Sequence, residues 1–148
     1  MSFVPDTFAV PTGLTTEDFR LEPLGPQHNE SDYAAWTSSI DHINATPGFA
    51  DWNWPDASMS IADNHSDLVK HAQDFAARTG FTYTVLDPAD GRVIGCLYLY
   101  PARRPGFDVS VRSWVTSDRA ELDEPLWRAV SAWIGADWPF QAPDYAPR

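Results

Sequence analysis

Cysteine is almost missing from this 148-residue sequence, with Cys96 the single example. That excludes an intrachain disulfide and any site built from several thiolates, so a reducing, cytoplasmic setting is expected. Positive charge is also scarce: ten Lys and Arg face twenty-one Asp and Glu, for a formal charge of -11. Such a field repels nucleic-acid backbones and anionic lipid surfaces, so neither is expected as a partner. No run of about 18 apolar residues occurs, and Met1 to Gly13 lacks a basic start followed by an apolar stretch, so neither a membrane span nor export is expected.

Apolar bulk, by contrast, is plentiful. Hydrophobic residues make up 43% and aromatics 14%, including seven Trp, enough to offset the ordering entropy of one domain without covalent staples. Residues 1–18 carry Pro5, Pro11 and Gly13 and no sustained period, which predicts an irregular lead-in folding over the edge of a single domain at residues 19–148.

Phe19, Leu21 and Pro23 alternate with Arg20 and Glu22, the period of a half-buried strand, stopped at Gly25-Pro26. Tyr33, Trp36, Thr37 and Ile40 form one helical stripe, with Asn29 or Ser31 as its cap. From Asn44 to Ser58, prolines, Gly48, Phe49, Trp52 and Trp54 predict a ring-rich loop. Ser60 and Asp63 form a capping box for a helix whose stripe is Ile61, Leu68, Ala72, Phe75 and Ala76, ending at Gly80. Phe81 to Leu86 and Arg92 to Tyr100 read as a hairpin around Asp90-Gly91. In the strand from Phe107 to Val115, Val109, Val111, Ser113 and Val115 face one way and Asp108, Ser110, Arg112 and Trp114 the other. Asp123 is the expected cap of a last helix with Leu126, Trp127, Val130, Trp133 and Ile134 on its buried face, and the remainder after Trp138-Pro139 leaves room for one short strand.

The hairpin Phe81-Thr-Tyr-Thr-Val-Leu-Asp-Pro-Ala-Asp-Gly-Arg-Val-Ile-Gly-Cys-Leu-Tyr-Leu-Tyr100 and the strand Val109-Ser-Val-Arg-Ser-Trp-Val115 before the last helix resemble the GCN5-related N-acetyltransferases, over roughly Phe19 to Tyr145. The resemblance implies an α/β (α+β) fold: a mixed, mostly antiparallel sheet with helices on both faces, here shortened at the C-terminal end. It implies acetyl-CoA or another acyl-CoA as cofactor, with Trp114, Val115 and Thr116 on the pantetheine and Arg119 near the pyrophosphate. The family's pyrophosphate loop is glycine-rich, because backbone must approach the phosphates closely. The matching stretch, Ser117-Asp-Arg-Ala-Glu-Leu-Asp123, has no glycine and three carboxylates.

For the chemistry, Asp108 is the candidate base or ammonium partner, on a face shared with Arg112, and Tyr145 is the only late tyrosine able to replace the family's acid. An ion pair between Asp108 and Arg112 is the simpler use of both. Asp51, Trp52, Trp54 and Asp56 suit an ammonium-bearing ligand through cation–π contact and charge, although the two indoles also serve as plain packing. The four histidines have no metal spacing, so no metal is expected, and Cys96 in its apolar run reads as an inert thiol. Two functions follow: N-acyl transfer from an acyl-CoA to a small amine, or a non-catalytic module of the same fold that binds a ligand or pairs with a second copy through an open sheet edge.

Overall fold

Strand-forming residues dominate Phe81–Leu86 (β3) and Val93–Tyr100 (β4), and in the computed structural model, which describes residues 2–148, they form the central hairpin. Val109–Val115 (β5) pairs antiparallel with β4, and Pro143–Tyr145 (β6) joins β5 in parallel at the edge. On the other side, Arg20–Pro23 pairs with β3 and Leu14–Thr15 pairs with Arg20–Pro23; in chain order these are β2 and β1. The six strands therefore run in sequence order, antiparallel except for the last pair. The lead-in is more structured than its sequence suggests: besides β1, Val4 is buried in the core and the Tyr83 hydroxyl donates to the Pro11 carbonyl.

Alternation assigns the faces. Val109, Val111 and Val115 join the core covered by helix Asp123–Asp137 (α4), through Leu126, Val130, Trp133 and Ile134. Trp114, Cys96 and Tyr98 point the opposite way, toward Asn29–Thr37 (α1), Ile40–Ala45 (α2) and Leu68 of Ile61–Ala77 (α3). Between Val85 and Leu86 the β3–β4 register shifts, so that Val85 faces Gly95 while Leu86 faces Val93, and Ile94 is the extra residue of a bulge. Gly95 tolerates no side chain there, because a Cβ would collide with the Trp114 carbonyl of the neighbouring strand.

The expected first helix is two. Thr37 and Ser38 hydroxyls donate back to the Tyr33 and Ala35 carbonyls, a competing bond that ends α1, and Ile40 opens α2. Neither expected cap operates: Ser31 Oγ accepts from the Val93 N–H across the fold, and Asn29 Nδ2 donates to the Ile61 carbonyl. Asp123 is likewise the first residue of α4 rather than its cap, preceded by a 3-10 turn over Ser117–Leu122.

The Ser60–Asp63 capping box of α3 is present, with Asp63 N–H donating to Ser60 Oγ at 3.1 Å and Ser60 N–H to Asp63 Oδ2 at 2.9 Å. Ser60→Ala is expected to cost about 1 kcal/mol, read as a fall in urea midpoint at unchanged slope; no change would mean the box is idle. The helix ends at Arg78, itself left-handed at φ 62°, not at Gly80. Ile61 is 44% exposed, and the inward residues of its face include two polar ones, Asn64 and His71.

Candidate functional site

On the α1–α3 side of the sheet lies a cavity of about 590 Å³. The ring-rich loop roofs it with Trp52 and Trp54, Tyr98 and Tyr100 of β4 form its floor, α1 and α3 supply Asp32, Asn64, Asp67, His71 and Asp74, and the β4–β5 side supplies Arg103, Ser110 and Arg112. The aromatic lining is held edge to face: Trp52 meets Tyr98 at 5.4 Å and Trp54 meets Tyr98 at 6.5 Å between ring centres. The Trp54–Pro55 peptide is cis.

The acidic wall is built around Asp32, only 4% exposed. Asn64 Nδ2 donates to Asp32 Oδ2 at 3.0 Å, and Trp36 Nε1 donates to Asn64 Oδ1 at 3.0 Å, so a chain of buried polar groups fixes the carboxyl. No Lys or Arg among the described residues pairs with it. Burial is the main reason that its pKa rises to about 6, the Asp67 charge adds to the rise, and the Asn64 bond and His28 oppose it. Beneath the cavity, Trp114 Nε1 donates to the Tyr98 hydroxyl at 3.0 Å. Burial pushes the Cys96 thiol well up, as its apolar run predicts.

His71 was not legible as a functional residue, yet among the described residues it is the one imidazole lining the cavity. Tyr100 donates to Asp74 Oδ2 at 2.9 Å, and His71 Nδ1 lies within hydrogen-bond distance of the Tyr100 oxygen at 3.1 Å. Thr82 Oγ1 also lies 2.9 Å from Nδ1. Burial lowers the His71 pKa against the pull of Asp67 and Asp74, so the ring is neutral at pH 7.

Of the residues expected at an amine site, Trp52 and Trp54 line the cavity, together with Arg112, whereas Asp51 and Asp56 do not. Asp56 is fully exposed and bonded to the Ser58 N–H and hydroxyl, which lowers its pKa. Arg112 stacks over Trp52 at 4.4 Å and donates to the Gly48 carbonyl and Ser110 Oγ. Asp108 makes neither of its expected contacts: it precedes β5, and its carboxylate accepts the Gln141 and Ala142 N–H groups at 2.7 and 3.0 Å, clasping the chain that leads into β6. Tyr145 packs with the opposite core, bonded to Ser113 Oγ at 2.6 Å, and burial raises it to about 12. The sheet separates it from the cavity.

The residues present do not fit the pyrophosphate and pantetheine that the resemblance implies. In the turn before α4, the Ser117 N–H donates to Ser39 Oγ and the Arg119 N–H to the Thr116 carbonyl. Asp118 accepts from Thr116 Oγ1 and pairs with Arg92, while Arg119 pairs with Asp87 at 2.7 Å. These donors are spent within the protein, and carboxylates stand where an anion would have to sit. Just past β5, Thr116 N–H is taken by the Ile94 carbonyl, and Trp114 and Val115 stand opposite Cys96 and Gly95 of β4. Past the three-residue β5–β6 pairing, Arg148 fills the gap: its side chain is 4% exposed, donates to the Ser113 carbonyl at 2.8 Å and binds Asp123 of α4 at 2.6 Å.

No protein-family model matches the sequence, and no curated protein matches it. Solved structures do match. A ribosomal-protein-S5-alanine acetyltransferase from Vibrio fischeri superposes with TM-score 0.64 at 14% identity over 84% of this chain and 67% of that one. A GCN5-related N-acetyltransferase from Brucella melitensis gives 0.61 at 17% identity over 91% and 60%. The microcin C7 self immunity acetyltransferase MccE, solved with acetyl-CoA and AMP, gives 0.58 at 14% identity over 88% and 68%. The chain thus spans 60% to 68% of the length of these three proteins. Strand order, the parallel β5–β6 pair and helices on both faces agree with that likeness, and the chain has the fold of the GCN5-related N-acetyltransferases.

Proposed function

We propose that this chain binds a small ammonium-bearing molecule in the cavity under the Trp52–Trp54 loop. The observation that carries the reading is Asp32: a carboxyl almost wholly buried, positioned by Asn64, without a cation of its own, in a cavity walled by indole and phenol rings. An ammonium satisfies the carboxylate and gains the ring faces at once.

N-acyl transfer to that amine is the second reading. It is favoured by His71, a neutral imidazole on the same wall, and by the acetyltransferases that share the fold. Against it stand Arg148 and the bonded turn at Ser117–Leu122, which occupy the places a coenzyme would need.

Thermal melts separate the two. Saturating tryptamine or isopentylamine should raise Tm, by roughly 8 °C at a hundredfold excess over Kd. Acetyl-CoA should shift Tm no more than free coenzyme A or a simple polyanion does. A shift specific to acetyl-CoA would restore acyl transfer as the leading function, and silence toward every amine would end the binding reading.

A further inference from the structure

The charges left without partners define the ligand further. Seven of the ten Lys and Arg residues form ion pairs with carboxylates: Arg20, Lys70, Arg92, Arg104, Arg119, Arg128 and Arg148. Arg78 is spent on the Pro5 and Phe8 carbonyls. Two guanidinium groups remain without a carboxylate partner among the described residues, Arg103 and Arg112, and both line the cavity. In a chain with twice as many acidic as basic residues, an unpaired arginine is the exception.

Arg112 is the better placed of the two. Its Nε and Nη1 are fixed by Gly48 and Ser110, and its plane is stacked on Trp52, so the guanidinium is held rigid while no carboxylate neutralises it. Partial burial and the neighbouring Arg103 lower its pKa, and the charges of Asp51 and Asp144, neither of which pairs with it, oppose that shift. Across the cavity the situation is reversed. Asp32 is a buried carboxyl lacking a cation, and Asp67 stands beside it.

Resting on the amine-binding reading, we infer that the natural ligand is a zwitterion of amino-acid type, its ammonium at Asp32 on the α1–α3 wall, its carboxylate at Arg112 and Arg103 on the β4–β5 wall, and its body against Trp52, Trp54 and Tyr98. Each wall alone would accept a singly charged molecule. Only a ligand with both charges removes both unpaired groups, and a charged wall facing the wrong end of a ligand penalises it. The cavity volume, about 590 Å³, is within the range of small-molecule sites.

Matched series test this without knowledge of the natural ligand. The probes are L-tryptophan with tryptamine and indolepropionate, L-leucine with isopentylamine and isocaproate, and glycyl-leucine, titrated against tryptophan fluorescence and by calorimetry. At least one zwitterion should bind about tenfold or more tighter than both its amine and its acid. Asp32→Asn should abolish the advantage over the acid and Arg112→Gln the advantage over the amine, while Arg112→Lys keeps part of the latter. Near-ultraviolet circular dichroism establishes that each variant is folded. Amines that bind as tightly as their zwitterions would overturn the inference and leave the amine-binding reading standing. If nothing in the series binds, both fall.

Discussion

Arg148→Met should lower stability by about 3 kcal/mol and Tm by roughly 10 °C. The guanidinium is buried and fully used: Nε binds Asp123, Nη1 the Ala146 carbonyl, and Nη2 the Ser113 carbonyl. Methionine fills similar volume but leaves Asp123 without its partner at the start of α4, where Asp123 Oδ1 already has no hydrogen bond. The unpaired charge, more than the lost attraction, sets the size of the effect. Burial also predicts that salt will not erase the difference. The exposed Arg128–Glu124 pair is the contrast, since its removal should cost within about 0.5 kcal/mol. A loss below about 1 kcal/mol for Arg148→Met would show that the gap beside β5 is closed by something other than this residue.

Asp32→Asn should do the opposite at neutral pH and stabilise the free protein. The folded carboxyl has its pKa at about 6 and the ordinary value is 3.8. As pH rises between these values the unfolded chain gives up its proton first, so the folded state loses stability across that window. The full stability is present below about pH 4, and about 3 kcal/mol of it is gone above pH 6 to 7. Asparagine cannot ionise and can still accept from Asn64 through its own oxygen, so the variant should exceed the parent above pH 6 and match it near pH 4. Denaturant midpoints at a series of pH values measure this. A difference that does not change with pH would mean that Asp32 is not the titrating group. The groups packed about it, His28, Asn64 and Asp67, are unchanged in the comparison.

The same carboxyl explains what was and was not legible. Apolar periodicity placed α3, the β3–β4 hairpin, β5 and α4, because those elements bury faces that the sequence repeats at 3.6 or 2 residues. The ring-rich loop could also be singled out from residue type alone, and its Trp52 and Trp54 do line the cavity. Asp32, Asn64 and His71 could not, since reading stripes by hydrophobicity discards any polar residue that shares an inward face. The spacing does contain them: Asn64, Leu68, His71 and Phe75 step by four, three and four along α3, and Asp32 lies four before Trp36 on α1. Asp108, Tyr145 and Asp123 went astray for another reason. Each makes bonds with residues far along the chain, to Gln141, Ser113 and Arg148, and no local pattern encodes such partners. The break at Ser38–Ser39 was hidden likewise, because a stripe can continue across two helices.

Five of the seven indoles fall into two groups that light can tell apart. Trp36 and Trp54 have ring centres 5.5 Å apart and Trp54 and Trp114 5.9 Å apart on the cavity side, while Trp133 and Trp138 are 5.5 Å apart beneath α4. Transition dipoles at these separations couple, so each group contributes its own exciton signal to the circular dichroism. Only the first group borders the cavity, through Trp54, and the second is shielded from it by the sheet. The fold therefore carries an optical reporter and its internal reference in one chain, readable without a label.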